Sequence, residues 1–334
     1  MQRIALIGAG FMGSHHAANL AAHPDVDFVA VCDPVLDRAL AVGQQYGATA
    51  TSDPAEVFDP SRMDAVLVAS STDTHATHLR AAADAGVAVL CEKPIDPSLD
   101  QAVETARYVA AHGVRAMTGF NRRFDRDHAE LKSVVDAGTI GDVSLLQLTS
   151  RGPEVPPLEY IKVSGGQMRD QAVHFFDLAR WIAGVEPVSV YAAGTALADP
   201  RIAEYGDVDT SAITLRLETG ALVQIDCARR TGYGYDERIE VLGSTGMVES
   251  ARQRTSSVIR YSAGAGHTAG MNPGWLERAL PTYTAELDHF VRCLETGAPF
   301  DVTLEDGVRA QAIAEAATRS LRSGRAEPVE HPQV

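Results

Sequence analysis

Three residues in the middle of the chain have the types and the spacing needed for proton transfer. Asp170, His174 and Asp177 fall at positions i, i+4 and i+7, so a helix would carry them on one face within about 60°. An imidazole, with an ordinary pKa of about 6.5, exchanges protons readily at neutral pH. Asp170 would either orient this imidazole or relay its proton. The alternative is a polar helix stripe that faces solvent.

A lysine ends an apolar run in the first third of the chain. Lys93 follows Glu92 in the sequence Cys-Glu-Lys-Pro, directly after the strand-like residues 88–91. At the carboxyl edge of a parallel strand, a side chain points into the crevice where α/β sheets bind ligands. The Lys93–Pro94 bond is a candidate cis peptide. The alternative is an ordinary surface lysine after a strand.

A glycine-rich turn near the N-terminus has the form G-x-G-x-x-G, which binds dinucleotides when it follows a strand and opens a helix. Its candidate cofactor-binding residues are Gly8, Gly10, Phe11, Met12 and Gly13. The helix N-terminus would stabilise a pyrophosphate. Asp33 lies twenty residues later, after the second strand, where a carboxylate binds ribose hydroxyls and repels a 2′-phosphate. This pattern predicts NAD, with NADP less favoured, although nearby Arg38 leaves dual specificity open; the alternative is a plain turn and a surface aspartate.

These residues need a scaffold, and the first 120 residues alternate short buried strands with helices. This rhythm predicts a doubly wound parallel sheet, a Rossmann fold, over residues 1–120. The predicted strands are 4–7, 28–32, 65–68, 88–91 and 116–119, and the predicted helices are 12–22, 35–46, 74–85 and 99–111.

Strand-like runs dominate after residue 120 and predict a second, α+β domain over 121–334 with a large, mostly antiparallel open sheet. A hairpin turn is expected at Gly220. The expected strands are 143–149, 188–193, 212–217, 221–228, 238–242 and 257–261, with helices at 127–136, 170–183, 282–295 and 304–323. The last helix is expected to pack back on the first domain, and residues 325–334 to form a loose tail or a strap.

Length and charge agree with this organisation. The 334 residues suggest about two domains. A net charge of −15 repels phosphate backbones and anionic lipids, so we expect neither nucleic acid nor membrane as a partner. The sequence contains no apolar stretch of about 20 residues and no secretory leader, which predicts a cytoplasmic protein.

The cysteines argue against a metal site. All four are widely spaced, and no C-x-x-C pair occurs, which favours free thiols in a reducing compartment. A His-x-x-Asp pair can ligate metal, but no further ligand cluster completes a set around His174. We therefore expect no bound metal.

The glycine turn with Asp33, the Glu-Lys-Pro motif and the Asp-x-x-x-His helix occur together in one chain. Together they resemble the glucose–fructose oxidoreductase and inositol dehydrogenase family, and within it the myo-inositol 2-dehydrogenase branch. The resemblance covers nearly the whole chain. It extends to the segments 70–75, 119–125, 159–166 and 233–236.

The resemblance implies roles for individual residues. Lys93 would contact both the nicotinamide ribose and the substrate, while Asp170 and His174 correspond to the proton relay and the general base. The implied polyol-binding residues are Arg123, Asp177, Tyr235 and Tyr283, and Ser70, Thr72, His75 and Glu92 join the cofactor-binding set. The family also implies a homotetramer packed through the open faces of the second-domain sheets.

Two departures from the family pattern affect the substrate. Phe175 follows the proposed base where inositol dehydrogenases carry an acidic or polar residue. Gly152 stands where they often carry an aspartate. Both changes are expected to remove polar groups near the polyol pocket, which leaves the substrate's identity and stereochemistry open.

The expected activity is NAD-dependent oxidation of a secondary alcohol of a cyclic polyol, myo-inositol in the first place, to a ketone. The alternatives are another inositol isomer or sugar, such as scyllo-inositol, glucose, galactose or an anhydrosugar. A non-catalytic NAD-binding regulator is a further alternative. Such a regulator need not keep Lys93 together with His174, and this chain has both.

Overall fold

A computed structural model describes all residues, 1–334, and the chain folds into two compact units. The first unit contains Met1–Asn121, Thr282–Arg309 and Pro332–Val334. The second contains Arg122–Pro281 and Ala310–His331. Two long helices, α8 (Trp275–Thr296) and α9 (Leu304–Ser323), therefore contribute residues to both units.

Strands and helices alternate in the first unit. Its strands are β1 Gln2–Ile7, β2 Val26–Cys32, β3 Thr49–Thr51, β4 Ala65–Val68, β5 Ala88–Glu92 and β6 Ala116–Gly119. Its helices are α1 Phe11–Ala22, α2 Leu36–Tyr46, α3 His75–Ala85 and α4 Leu99–Ala111, with short 3₁₀ turns at Pro54–Val57 and Thr72–Thr74.

The six strands of the first unit form one parallel sheet in the order β3-β2-β1-β4-β5-β6. All four residues of β4 are buried, as expected for a central strand that is covered on both faces. The doubly wound sheet predicted from the sequence is confirmed. Only β3 was not predicted, because Thr49–Thr51 is short and polar.

The second unit is dominated by strands. These are β7 Val143–Arg151, β8 Pro187–Thr195, β9 Thr210–Leu217, β10 Leu222–Ala228, β11 Asp236–Gly243, β12 Met247–Ser250, β13 Ile259–Ser262, β14 Ala265–Thr268 and β15 Glu327–Pro328. The helices are α5 Arg126–Asp136, α6 Leu158–Ile161 and α7 Val173–Ala183, together with α8 Trp275–Thr296 and α9 Leu304–Ser323, and there are 3₁₀ turns at Asn121–Phe124 and Pro200–Tyr205.

Seven of these strands form a mixed sheet in the order β12-β11-β7-β10-β9-β8-β15. Only β7 and β10 pair in parallel, so the predicted, mostly antiparallel sheet is confirmed. One face packs against helices, and its core includes Leu148 and Ile225 from strands, Phe176 from α7 and Ile313 from α9. The opposite, outer face leaves Leu222 of β10 exposed.

Three predicted elements differ in detail from the structure. The strand predicted over 257–261 is β13, which pairs only with β14 and lies outside the seven-stranded sheet. The helix predicted over 170–183 begins with a π-helical turn, Met168–Ala172, before α7 continues it. Helix α8 starts at Trp275 and runs through Pro281, whereas the sequence predicted a start at Thr282. The C-terminal segment is a strap, because β15 pairs with β8 at the sheet edge.

None of the helices combines the length and the apolar character that crossing a membrane requires. All four cysteines are free and buried.

Candidate active site

The glycine turn of the first unit is shaped for close approach of a ligand. Gly8 adopts φ +99°, and a Cβ there would lie 2.5 Å from the Ala69 carbonyl oxygen. A Cβ on Gly13 would lie 1.9 Å from the Gly8 oxygen. In contrast, a Cβ on Gly10 would meet no atom within 4 Å. Gly8 and Gly13 therefore keep the turn tight, while Gly10 leaves open space at the N-terminus of α1, as a bound pyrophosphate requires.

Asp33 connects this turn to the end of β2. Its carboxylate accepts the backbone N–H of Ala9 at 2.8 Å and that of Val35 at 2.9 Å, and the residue is buried. A carboxylate oxygen has more than one acceptor site, so these bonds leave capacity for ribose hydroxyls. Arg38 is exposed on α2. The turn and Asp33 thus fit a dinucleotide.

His75 links two loops that follow strands of the same sheet. Its Nδ1 lies 2.8 Å from the Pro94 carbonyl oxygen, and its Nε2 lies 3.1 Å from the Ser70 carbonyl oxygen. The ring is buried, whereas Ser70 and Thr72 are half-buried. His75 therefore holds the two loops together, and its predicted contact with a cofactor stays a prediction.

Lys93 lies directly after β5, half-buried, and the Lys93–Pro94 peptide is cis, as predicted. The Glu92 carboxylate faces away from solvent, with its Oε1 2.9 Å from Nε2 of the buried His16. Burial disfavours the Glu92 anion, but the hydrogen bond and charge of His16 and the charge of Lys93 outweigh it and lower the pKa of Glu92. The residue before Lys93 is therefore a fixed anion.

Two residues of α8 join this cluster. The ring of Tyr283 stands edge-on to His16, with 5.4 Å between ring centres. Glu286 is 1% exposed, and its Oε1 has no hydrogen-bond partner. Burial, reinforced by the negative charge of Glu92, raises the pKa of Glu286 well above its ordinary value. Both effects favour the protonated form of Glu286 beside the Glu92 anion.

Helix α7 of the second unit carries two of the residues predicted for chemistry. His174 is 7% exposed and Asp177 is 1% exposed, so the alternative of a solvent-facing stripe is wrong for both. Nε and Nη2 of Arg123 donate to the two Asp177 oxygens at 2.8 and 2.5 Å. This buried, bidentate ion pair fixes Asp177 and Arg123 against each other.

Asp170 lies in the π-helical turn before α7. The Tyr160 hydroxyl, from α6, donates to Asp170 Oδ1 at 2.8 Å. Nη2 of Arg229 lies 3.9 Å from Asp170 Oδ2. A π-helical turn inside a helix is rare and occurs frequently at functional sites. The sequence predicted neither Tyr160 nor Arg229 as part of the site.

Tyr235 is buried in a network of charges. Its hydroxyl donates to Glu237 at 2.7 Å and lies 3.1 Å from Nη2 of Arg122. Burial and the charge of Glu237 raise the pKa of Tyr235, so it stays a neutral phenol. Burial opposes ionisation of Glu237, but the charges of Arg122 and Arg278 help to hold its pKa below the ordinary value. The side chains of this network therefore hold one another in place. The role of Tyr235 in binding a polyol stays a prediction.

The structure corrects one expectation about the substrate pocket. Phe175 is fully buried in the core of the second unit, and the Arg122 guanidinium lies 5.6 Å from its ring centre. Phe175 is a core residue, so the expectation that it changes the polarity of a polyol pocket is wrong. The backbone N–H of Gly152 donates to the Ala228 carbonyl oxygen at 2.8 Å, and the expectation for this position stays a prediction.

Several residues around the predicted site were not identified from the sequence. His16, Glu286 and Glu237 have no motif of their own, and their partners lie far away in the chain. Tyr160 lies in the segment 159–166, which resembles inositol dehydrogenases. That resemblance marked the segment as part of the family pattern but did not indicate the role of Tyr160.

Two family models match most of the chain. The model described as "Oxidoreductase family, NAD-binding Rossmann fold" matches residues 2–120. The model of the GFO/IDH/MocA C-terminal domain matches residues 128–249. The first match covers the glycine turn, Asp33 and Lys93, and the second covers Asp170 and His174.

Individual proteins match over nearly their full length. The myo-inositol 2-dehydrogenase of Thermotoga maritima is 40% identical, with 98% of each chain covered. The scyllo-inositol 2-dehydrogenase (NAD(+)) of Bacillus subtilis is 35% identical, with 96% of this chain and 94% of that protein covered. The crystal structure of a myo-inositol dehydrogenase from Corynebacterium glutamicum is 36% identical and superposes with a TM-score of 0.93 over 100% of both chains.

These matches agree with the glycine turn, the Glu-Lys-Pro motif and the helix that carries His174. They include relatives above 30% identity along almost the whole sequence. The chain therefore belongs to the GFO/IDH/MocA family of oxidoreductases with an NAD-binding Rossmann fold.

Proposed function

We propose that this protein oxidises a secondary alcohol of a cyclic polyol, myo-inositol in the first place, to the corresponding ketone with NAD. The observation that carries the proposal is the buried His174, four residues after an Asp170 that is itself held by a hydrogen bond. A buried imidazole about one helical turn along the chain from a fixed carboxylate is suited to act as a general base. The relatives named for myo-inositol and scyllo-inositol support the substrate class.

In the proposed reaction, His174 accepts the proton of the substrate hydroxyl. Bound NAD supplies the hydride acceptor, so the carbon loses a hydride as its oxygen loses a proton. The Lys93 ammonium donates a hydrogen bond to the oxygen and stabilises the negative charge that develops there. Asp170 holds the His174 imidazole in place. Glu92, fixed by His16, supports the position of Lys93.

NAD is favoured over NADP in this proposal because of Asp33. A buried carboxylate at the end of β2 would repel the 2′-phosphate that distinguishes NADP. Arg38 is the residue that could compensate for it. The ratio of kcat/KM for NAD to that for NADP measures this preference, and a ratio below one would contradict it.

The proposed polyol-binding residues are Arg123, Asp177, Tyr235 and Tyr283. The Arg123–Asp177 ion pair and the Tyr235–Glu237 hydrogen bond keep these side chains rigid, which favours recognition of a rigid ring of hydroxyls. Rigid polar side chains discriminate between stereoisomers more sharply than mobile ones do, because an unmatched hydroxyl leaves a buried group without a partner.

We also propose a homotetramer, packed through the outer face of the second-unit sheet, and a cytoplasmic location. That face exposes the apolar side chains of Tyr191, Leu222, Leu242 and Met247 by 44–48%. Exposed apolar patches of this kind mark interfaces. Light scattering of the wild type and of a Leu222→Glu variant tests the assembly: a tetramer that dissociates supports it, and a monomeric wild type contradicts it.

A polyol panel with NAD, followed by NADH absorbance, tests the activity. The panel contains myo-inositol, scyllo-inositol, glucose, galactose and an anhydrosugar. Turnover of myo-inositol with the highest kcat/KM supports the proposal, whereas a preference for another member reassigns the substrate. Tight NAD binding without any turnover would identify a non-catalytic regulator.

A further inference from the structure

The carboxylate of Asp170 is contacted from two sides by residues to which no role has yet been given. On one side, the Tyr160 hydroxyl donates to Oδ1 at 2.8 Å. Tyr160 belongs to the one-turn helix α6 and is 45% exposed, so its position is not enforced by core packing. Its hydroxyl instead donates a hydrogen bond to Asp170, ten residues further along the chain.

On the other side, Arg229 faces Oδ2 of Asp170. Its Nη2 lies 3.9 Å away, is buried and has no hydrogen-bond partner. The rest of this side chain is fixed: Nη1 donates to Asp207 at 2.6 Å, and the residue is 3% exposed. A buried cation at this distance compensates for the charge of the carboxylate without binding it directly.

Asp207 connects this arrangement to the helix that carries Asp170. Its Oδ1 accepts the backbone N–H of Gln167 at 2.8 Å, directly before the π-helical turn Met168–Ala172. The same carboxylate holds Arg229. The start of the turn and the cation that faces Asp170 therefore share one anchor.

We propose that Tyr160 and Arg229 are positioning residues for Asp170, which they hold as a fixed, charge-compensated anion behind His174. The inference rests on the proposed function and extends it. It assigns Asp170 to orienting the imidazole rather than relaying its proton, because a carboxylate hydrogen-bonded at Oδ1 and facing a buried cation at Oδ2 is stabilised as the anion and is poorly suited to take up a proton. The neutral Tyr160 hydroxyl faces Asp170 from α6. The Arg229 cation, which is bound to Asp207, faces it from the residue after β10, and His174 follows on α7.

The variant Tyr160→Phe removes one hydroxyl from an exposed side chain and is expected to fold like the wild type. We expect a fall of about tenfold in kcat on the best polyol, with KM for NAD within about twofold. Tyr205→Phe is the matched control, because Tyr205 is also an exposed tyrosine, 41% accessible, in a neighbouring 3₁₀ turn. The control should change neither constant.

A double-mutant comparison separates positioning from a general structural effect. In an Asp170→Asn background, Tyr160→Phe should cause no further loss of kcat, because the carboxylate on which it acts is already gone. Independent, multiplying losses would overturn the inference. A change of less than twofold in Tyr160→Phe alone would overturn it as well.

A readout without turnover keeps the inference separate from the proposed function. NMR of histidine-labelled protein follows the titration of His174, assigned with a His174→Gln variant. Loss of the Tyr160 hydroxyl leaves Asp170 less compensated, so the His174 midpoint should move to higher pH by about half a unit or more. An unchanged midpoint contradicts the inference, whereas a shifted midpoint in an enzyme that oxidises no polyol contradicts only the proposed function.

Discussion

His16 and Glu92 form a buried pair, with 2.9 Å between Nε2 and Oε1, next to the residue proposed to bind the substrate oxygen. His16 comes from α1, directly behind the glycine turn, and Glu92 ends β5. The pair therefore joins the proposed pyrophosphate site to Lys93. Burial and the charge of Glu92 raise the pKa of the nearby Glu286, which disfavours a second negative charge in this cluster.

Glu286 should make the stability of the protein depend on pH. Its folded pKa is raised above the unfolded value, so its contribution is fully present at low pH and is lost as pH rises toward the folded pKa. A Glu286→Gln variant should therefore gain stability relative to wild type between about pH 5 and pH 8, by up to about 1.4 kcal/mol per pH unit. Urea unfolding at both pH values measures this.

The control for this experiment is Glu295→Gln, because Glu295 is exposed on the same helix. Its unfolding free energy should follow that of the wild type at both pH values. A Glu286→Gln curve parallel to the wild-type curve would show that Glu286 is ionised in the folded protein.

The second and third glycines of the turn should respond differently to alanine. Gly13→Ala places a Cβ 1.9 Å from the Gly8 oxygen, so it should lower thermal stability and abolish NAD binding together. Gly10→Ala meets no protein atom within 4 Å, so it should fold normally yet weaken NAD binding by about tenfold or more. Calorimetry and NAD titration measure both effects. Normal NAD affinity in Gly10→Ala would show that no pyrophosphate lies there.

Asp33 should affect both cofactor choice and stability. Asp33→Asn removes the negative charge, so kcat/KM for NADP should rise relative to that for NAD by about tenfold or more. Weaker acceptance from Ala9 and Val35 should also cost about 1 kcal/mol of stability. Asp37→Asn, on the exposed start of α2, is the matched control. An unchanged cofactor ratio would remove Asp33 from the ribose site.

The Arg123–Asp177 pair should be important for stability whatever its role toward substrate. Asp177→Ala leaves the buried Arg123 guanidinium without its bidentate partner, which should cost about 3–5 kcal/mol. The double variant Arg123→Met/Asp177→Leu should recover much of this loss, because no buried charge then remains uncompensated. A cost below about 1 kcal/mol in the single variant would mean that Arg123 finds another partner. Denaturant unfolding of the wild type, the single variant and the double variant measures these differences in unfolding free energy.

Local sequence patterns predicted the features whose parts lie close together in the chain. The glycine turn is defined by six consecutive residues, and Asp33 follows at a fixed interval set by one helix and one strand. The strand–helix rhythm likewise predicted the first sheet apart from the short β3, because buried parallel strands are continuous apolar runs.

Contacts between distant residues escaped prediction. His16 and Glu92 are 76 residues apart, and Arg122 and Glu237 are 115 apart, so no local spacing signals either pair. Phe175 shows a different limit. Its place after His174 suggested a pocket residue. However, α7 is buried on nearly every side, so one residue of this helix can face a functional site while its neighbour packs in the core.

His174 and Lys93 are proposed to perform the oxidation of a cyclic polyol together. The most direct measurement compares the initial rate of NADH formation from myo-inositol in wild type, His174→Gln and Lys93→Met, with NAD affinity measured by fluorescence titration. We expect turnover in the wild type and a loss of kcat of about 10²–10⁴ in each variant, with NAD affinity within about tenfold of the wild-type value. Near-wild-type kcat in either variant would contradict it.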